Sequence, residues 1–244
     1  MSIWAEIIAI GNELLSGDVL DTNSHWLCGQ LSGLGARVRR VCLVGDDLEA
    51  IKTELYGALS RDTRLLITTG GLGPTDDDLT LQSIAQSWGL ELCVHPRALD
   101  WVRAKYEELA RQGYVASSAM TPARFKMARL PAGAEALANN VGAAPGVLLQ
   151  RGSCTVVSLP GVPAELKDIF QGSLQPILIE LLGQGVFLEW EATVACGDES
   201  VLAPILRDIA SIHPQVYVKS HARRFAAGEK FKLTISARGK DRDE

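Results

Sequence analysis

The 244-residue chain has a formal net charge of −5, with 47% hydrophobic and 22% charged residues. That is material for one substantial core and a small second domain, with no global basic field to hold nucleic acid or an anionic membrane. Five scattered cysteines, Cys28, Cys42, Cys93, Cys154 and Cys196, are odd in number and lack CxxC spacing, which argues against a zinc cluster and for reduced thiols in a cytoplasm. The first ten residues carry Glu6 and no basic region ahead of a long apolar run, so they do not read as a signal peptide, and no stretch approaches the roughly 20 apolar residues that span a bilayer.

Residues 5–10 read as a buried strand ending at Gly11-Asn12-Glu13, a small residue and an acid at a strand-to-loop junction. Asp21-Thr22-Asn23-Ser24 offers N-caps for a helix through Trp26, Leu27, Leu31 and Leu34 that stops at Gly33 and Gly35. For Asn23, capping is the simpler role and facing a ligand the other. Residues 38–44 form a second strand ending at Gly45-Asp46-Asp47, and Asp47 or its neighbour caps a helix through Ile51, Leu55 and Leu59. Leu65, Leu66 and Ile67, followed by two threonines, make a third strand. It runs into a turn containing Gly70, Gly71 and Gly73, where the freed backbone can point amide N–H groups at an anion. Pro74 and Thr75 close the turn, and a helix is expected from about Asp76 through Leu79, Leu81, Ile84, Ala85 and Trp88.

Asp76, Asp77 and Asp78 have two readings. They can cap that helix and complement its dipole. One aspartate suffices for a cap, whereas three adjacent carboxylates repel one another and any nearby phosphate, a conflict that a divalent cation removes. The dinucleotide fingerprint fails because the position three after Gly73 is Asp76, and the P-loop fails because no Gly-Lys-Ser/Thr follows. Three strands separated by helices imply βαβ units and a parallel sheet. Its carboxyl edge would gather Glu13, Asp46 and the three aspartates in one crevice.

Farther on, residues 90–94 read as a short strand and 97–112 as a charged amphipathic helix with Trp101, Tyr106 and Leu109. Residues 117–128 are irregular or weakly helical, with Arg124 and Lys126 placed either to reach a phosphate or on a solvated face. Residues 139–146, with Asn139, Asn140, Gly142, Pro145 and Gly146, form a loop where a ligand could lie against backbone, or an ordinary hairpin entry. Strands at 146–150 and 154–159 lead to Pro160-Gly161-Val162-Pro163-Ala164-Glu165, a rigid turn before a helix whose dipole Glu165 can complement. An apolar helix at 174–182 ends at Gly183 and Gly185. The tail beyond reads strand (187–195), helix (200–210), strand (215–220) and strand (230–237), a small α+β unit. Lys219, His221, Arg223, Arg224, Lys230, Lys232 and Arg238 make it locally basic; a strand edge guarded by lysines is the simpler reading.

Five motifs occur in order: GNELLSGDVLDTNS (11–24), VGDD (44–47), GGLGPTDDDLT (70–80), NNVGAAPG (139–146) and PGVPAE (160–165). Through them, and over essentially the whole chain, the sequence resembles the N-terminal part of the CinA (competence/damage-inducible) family, whose catalytic domain has the fold of molybdopterin-binding proteins such as MogA. The resemblance implies a three-layer α/β domain with a mostly parallel sheet over residues 1–172, then a small KH-like α+β domain over 173–244. The tail also resembles the corresponding part of the molybdopterin-binding-like domain of eukaryotic FAD synthases.

The activity it implies is metal-dependent cleavage of the pyrophosphate of ADP-ribose or a related nucleotide diphosphate, with Mg²⁺ as the cofactor. Carried over by motif, Asp46, Asp77 and Asp78 are the catalytic and metal-holding residues, and Gly70, Gly71, Gly73 and Thr75 hold phosphate. Lys126 falls on the family's Lys-Gln-Ala motif, which here reads Lys126-Met127-Ala128, so a polar side chain is lost. Glu13, Asn23, Asn139, Gly142, Pro145, Gly146, Gly161 and Glu165 complete the expected substrate site. Longer members continue into an amidohydrolase domain acting on nicotinamide mononucleotide, an activity not expected of this sequence. The rival readings are a protein that binds or processes molybdopterin or its adenylylated form, and a non-catalytic nucleotide-binding or interaction module. RNA binding by the tail is disfavoured because Gly183, Gly185, Gly197, Gly228 and Gly239 never stand three apart as a GxxG clamp requires. An interface joining the protomers of a homo-oligomer is its expected role.

Overall fold

Every residue of β1 (Trp4–Ile10) after the first is buried, as a strand covered on both faces requires. The computed structural model describes residues 3–182, 186–196, 198–214, 216–221 and 231–239. After β1, α1 (Asn12–Ser16) and α2 (Thr22–Gly33) lead to β2 (Arg37–Val44), and α3 (Leu48–Ser60) leads back to β3 (Leu65–Thr69). β2 and β3 lie on opposite sides of β1, both parallel to it, so the strand order reverses direction there.

Next come α4 (Thr80–Trp88), β4 (Leu92–Val94), α5 (Pro96–Arg111), α6 (Pro122–Met127), β5 (Arg129–Pro131) and β6 (Glu135–Leu137). β7 (Gly146–Arg151), β8 (Cys154–Leu159), α7 (Pro163–Ile169), a π-helical turn (Phe170–Leu174) and α8 (Gln175–Leu182) follow. The main sheet has the order β2-β1-β3-β8-β7-β6, with β8 parallel to β3, β7 antiparallel to β8, and β6 antiparallel to β7 at the far edge. β4 and β5 pair separately. The expected mostly parallel α/β sheet is present.

Alternation along the strands sends side chains to two helical layers. Ile8, Ile10, Val44, Leu66 and Val156 join Ile51 and Leu55 of α3 and Ile84 and Trp88 of α4 in one core. Ile7, Ile67 and Val157 point the other way, toward the layer supplied by the fully buried Leu27, Leu31, Leu166 and Phe170, where Trp26 meets Phe170 edge-on at 5.1 Å.

At the amino end of the sheet lies a carboxylate that patterning alone does not reveal as structural. Glu6 is 1% exposed and accepts hydrogen bonds from Arg39 Nε (2.8 Å), Arg61 Nη2 (2.6 Å) and Thr63 Oγ1 (2.7 Å).

The chain divides into two units, residues 1–31 with 36–181 and residues 32–35 with 182–244. The boundary therefore falls near Leu181 and not at 172/173, because Leu174 and Leu178 are wholly buried within the first unit's helices. In the second unit, β9 (Val186–Val194), α9 (Glu199–Ile212), β10 (Val216–His221) and β11 (Phe231–Gly239) give an antiparallel sheet of order β10-β11-β9. This is the expected strand-helix-strand-strand sequence. Arg223, Arg224, Lys230 and Gly228 lie outside the described residues. Lys232 pairs with Glu191 across β9 and β11, the ordinary use of a lysine on an exposed strand.

Candidate functional site

Loops leaving the carboxyl ends of the four parallel strands enclose a cavity of about 590 Å³. Gly11 and Glu13 enter it after β1, Asp46 after β2, Gly70 through Pro74 with Asp77 and Asp78 after β3, and the segment 160–163 with Glu165 after β8. The crevice thus opens where the strand order reverses, the position at which open α/β sheets bind ligands. Tyr106 from α5, Met127 from α6, and Ala143 and Ala144 complete the wall.

The glycine turn is shaped by close backbone approach. Gly70 has φ +96° and its N–H donates to the carbonyl of Leu159 at 2.9 Å; a Cβ there would overlap the Ile10 carbonyl. Gly71, at φ +66°, sits against Thr80, whose hydroxyl donates to the Gly70 carbonyl at 2.8 Å. The N–H groups of Gly71, Leu72 and Gly73 make no hydrogen bond among the described residues.

α4 begins at Thr80, later than the expected start at Asp76. The cause is Asp78: its Oδ2 accepts from both the N–H (2.9 Å) and the hydroxyl (2.5 Å) of Thr75, closing a separate turn. Lys126 Nζ reaches the Thr75 carbonyl and ties that turn to α6. The N-cap of α4 is Leu79, with no side-chain cap bond, so helix capping does not account for the three aspartates. The Thr75 hydroxyl, together with a backbone N–H, also holds the Asp77 carboxyl below the usual carboxylate range.

Across the crevice mouth, Asn12 and Asp46 bond reciprocally: the Asn12 N–H donates to Asp46 Oδ2 at 2.8 Å and the Asp46 N–H to Asn12 Oδ1 at 3.2 Å. Asp47 caps α3 through the Ala50 N–H, as expected. Glu165 Oε2 accepts from Asn139 Nδ2 at 2.7 Å, and Asn139 Oδ1 accepts the N–H groups of Val141 (3.1 Å) and Gly142 (2.7 Å). Burial pushes the Glu165 carboxyl up, against the hydrogen bond from Asn139 and the charge of Lys105.

Of the residues expected in a substrate site, Glu13, Gly70, Gly71, Gly73, Gly161 and Glu165 line the cavity, with Asp46, Asp77 and Asp78. The others stand behind it. Asn23 neither caps its helix nor lines the cavity; its Nδ2 donates to the Gly161 carbonyl at 2.7 Å and steadies the turn after β8, while Asp21 supplies the cap. Thr75, Asn139 and Gly142 act as loop ties. Pro145 lies off the cavity wall, and Gly146 starts β7, where a Cβ would press on Ile169. Lys126 lines a second cavity of about 210 Å³ with Gly73, Asp78, Gln82 and Arg129. Sequence reasoning missed Asn12, although it stands in the first strand-end motif, and Tyr106, whose only signal is its place on an amphipathic helix.

Glu13, Asp46, Asp77, Asp78 and Glu165 put five carboxylates on the larger cavity, and no lysine, arginine or histidine lines it among the described residues. No three histidine, cysteine, aspartate or glutamate side chains gather around one point there, so Asp46, Asp77 and Asp78 form no ready-made cage for an ion. The donor set does suit magnesium, which binds through one or two carboxylates and completes its shell with substrate phosphates and water. No described helix is long and apolar enough to cross a membrane.

Residues 6–180 match the family described as "Probable molybdopterin binding domain". A protein of Pyrobaculum arsenaticum is 44% identical over 226 residues, covering 92% of this chain and 82% of that protein. One from Pyrococcus furiosus is 36% identical over 239 residues, covering 98% and 92%. The crystal structure of the protein CinA from Thermoplasma acidophilum, described as of unknown function, superposes with a TM-score of 0.66 at 34% identity, covering 73% of this chain and 99% of that one.

Proposed function

The chain belongs to the molybdopterin-binding domain family, and on that premise we propose that it binds molybdopterin or its adenylylated form. The observation that carries this is the turn after β3, where three consecutive residues, Gly71, Leu72 and Gly73, line a cavity at the switch point of the sheet and their N–H groups make no hydrogen bond among the described residues. Such a run of backbone donors is a seat for a phosphate. The cavity volume, about 590 Å³, falls within the roughly 300–1,000 Å³ of small-molecule sites.

A second reading is cleavage of the pyrophosphate of ADP-ribose or a related nucleotide diphosphate, favoured by five carboxylates on a cavity that no lysine, arginine or histidine lines among the described residues. A diphosphate approaching that wall needs its charge offset by an accompanying cation. Asp46, Asp77 and Asp78 would hold Mg²⁺, which when bound supplies charge compensation at the phosphates. Asp46 Oδ1 and Asp78 Oδ1 take part in no hydrogen bond among the described residues, so either carboxylate can orient a water.

One experiment separates the two. The purified protein is mixed with molybdopterin and, separately, with ADP-ribose, FAD and NAD, with Mg²⁺ or with a chelator. Retention of molybdopterin through gel filtration, lost in Gly71→Ala, with the nucleotides unchanged, supports the first reading. Metal-dependent formation of AMP and ribose phosphate from ADP-ribose, lost in Asp78→Ala, replaces it with the second.

A further inference from the structure

The five carboxylates of the cavity are not equivalent. Asp77 and Asp78 belong to the phosphate turn and Asp46 is locked to Asn12. Glu165 stands apart on α7, half-buried, with one oxygen held by Asn139 and the other, Oε1, making no hydrogen bond among the described residues. Gly142 lies so close that a Cβ there would overlap both carboxylate oxygens, and its N–H is tied to Asn139. The loop and helix thus fix this carboxyl from one side while it lines the cavity on the other.

Nothing about this group suits a phosphate, which it would repel. The cavity that it lines also has apolar and aromatic wall residues, Met127, Ala143, Val162 and Tyr106, the last with the Arg124 guanidinium 3.8 Å from its ring centroid. A flat heterocycle fits such a wall. A fixed carboxylate at its edge is an acceptor for two parallel N–H donors, and Oε2 keeps a second lone pair beyond the one used by Asn139.

We propose that Glu165 is the residue that reads the ring of the ligand, selecting heterocycles with a 2-amino-4-oxo edge, in which a ring N–H and an exocyclic amino group stand side by side. Pterins and guanine carry that edge. Hypoxanthine lacks the amino group, and adenine presents an acceptor nitrogen where the ring N–H would be. The proposal rests on the molybdopterin reading above and deepens it, since it makes the same cavity reject adenine at this wall. Glu165 is a specificity residue here, and Asn139 and Gly142 position it.

The test uses the full-length protein and four monophosphates, neopterin monophosphate, GMP, IMP and AMP, with inorganic pyrophosphate as a probe of the phosphate turn alone. Affinities come from isothermal titration at fixed Mg²⁺, for wild type, Glu165→Gln and Glu165→Ala, with thermal melts to establish folding. Gln keeps the acceptor for Asn139 and folds if only the charge matters. The expected result is that neopterin monophosphate and GMP bind about tenfold or more tighter than IMP and AMP, as hydrogen bonds to a charged partner imply. Both variants erase that preference while leaving pyrophosphate affinity unchanged. If pyrophosphate binds but the four monophosphates bind equally, or if Glu165→Gln keeps the wild-type order, the inference is overturned and the phosphate seat survives. If pyrophosphate and the monophosphates all fail to bind, the molybdopterin reading falls and takes the inference with it.

Discussion

Replacing Glu6 by glutamine tests the least visible part of the scaffold. The carboxylate is 1% exposed and answers two guanidiniums and a hydroxyl. A hydrogen bond to a charged group contributes about 1.5–3 kcal/mol. The partners Arg39 and Arg61 keep 25% and 34% of their side-chain surface in solvent, so screening discounts the two ion pairs. Losing the charge while keeping one acceptor should therefore cost about 3 kcal/mol, a large share of the roughly 5–15 kcal/mol available to a domain. Urea unfolding followed by circular dichroism would show a lowered midpoint with an unchanged slope. The pH dependence carries a definite sign. Burial pushes the Glu6 carboxyl up, and the hydrogen bonds from Arg61, Thr63 and Arg39 outweigh it and hold the carboxyl below its ordinary range. A carboxylate whose folded value is depressed stabilises fully above the unfolded value, about 4.3, and loses that contribution as pH falls through the folded value. The gap between wild type and Glu6→Gln should thus be constant near neutrality and close in acid. A loss below about 1 kcal/mol, or a gap that persists unchanged in strong acid, would refute the reasoning.

Gly70→Ala should cost at least about 2 kcal/mol by thermal or urea unfolding, because φ +96° is strained for any L side chain and the new methyl would meet the rigid Ile10 carbonyl. A melt within a degree of wild type would show that the turn relaxes freely. Glu165 has the opposite linkage to Glu6: its folded value is raised, so wild type is most favoured below the unfolded value and loses stability as pH rises through the folded one. Relative to Glu165→Gln, wild type should accordingly lose melting temperature as pH rises from acid toward neutrality, a comparison read by scanning fluorimetry. Thiol labelling at pH 8 should find Cys93, which is exposed, reacting first. Cys154, 2% exposed and pushed up to about 11 by burial, and Cys42, also about 11 from burial and the Glu54 charge, should stay unlabelled until denaturant is added.

The parallel sheet and its carboxyl edge are legible because buried strands leave continuous apolar runs and because each such run ends in a glycine and an acid. β1, β2 and β3 appear where residues 5–10, 38–44 and 65–69 place them, and Gly11, Asp46 and Gly70 meet at one cavity. The start of α4 was misplaced for a physical reason. Three aspartates before an amphipathic run look like a cap, but the side chain of Asp78 folds back on Thr75, a local hydrogen bond that competes with the first helical turn. Asn23 shows the same limit: its partner, the Gly161 carbonyl, is 138 residues away, and no local pattern announces such a contact. Nothing local marks Glu6 as structural, because its arginines come from β2 and the end of α3. The division at 172/173 leaves the segment 174–181 out of the first unit, although its Leu174 and Leu178 are buried there, whereas the glycines that close this helix stand beside the boundary.

The most direct test of the central claim, that the cavity beside the glycine turn is the ligand site, is a molybdopterin titration followed by isothermal calorimetry on wild type and Gly71→Ala. Gly71→Ala places a methyl against Thr80 within the turn whose N–H groups make no hydrogen bond among the described residues. Saturable one-to-one binding by wild type, weakened at least tenfold in a folded Gly71→Ala, is the result expected. Equal affinity in the two proteins, or no binding by either, would contradict it.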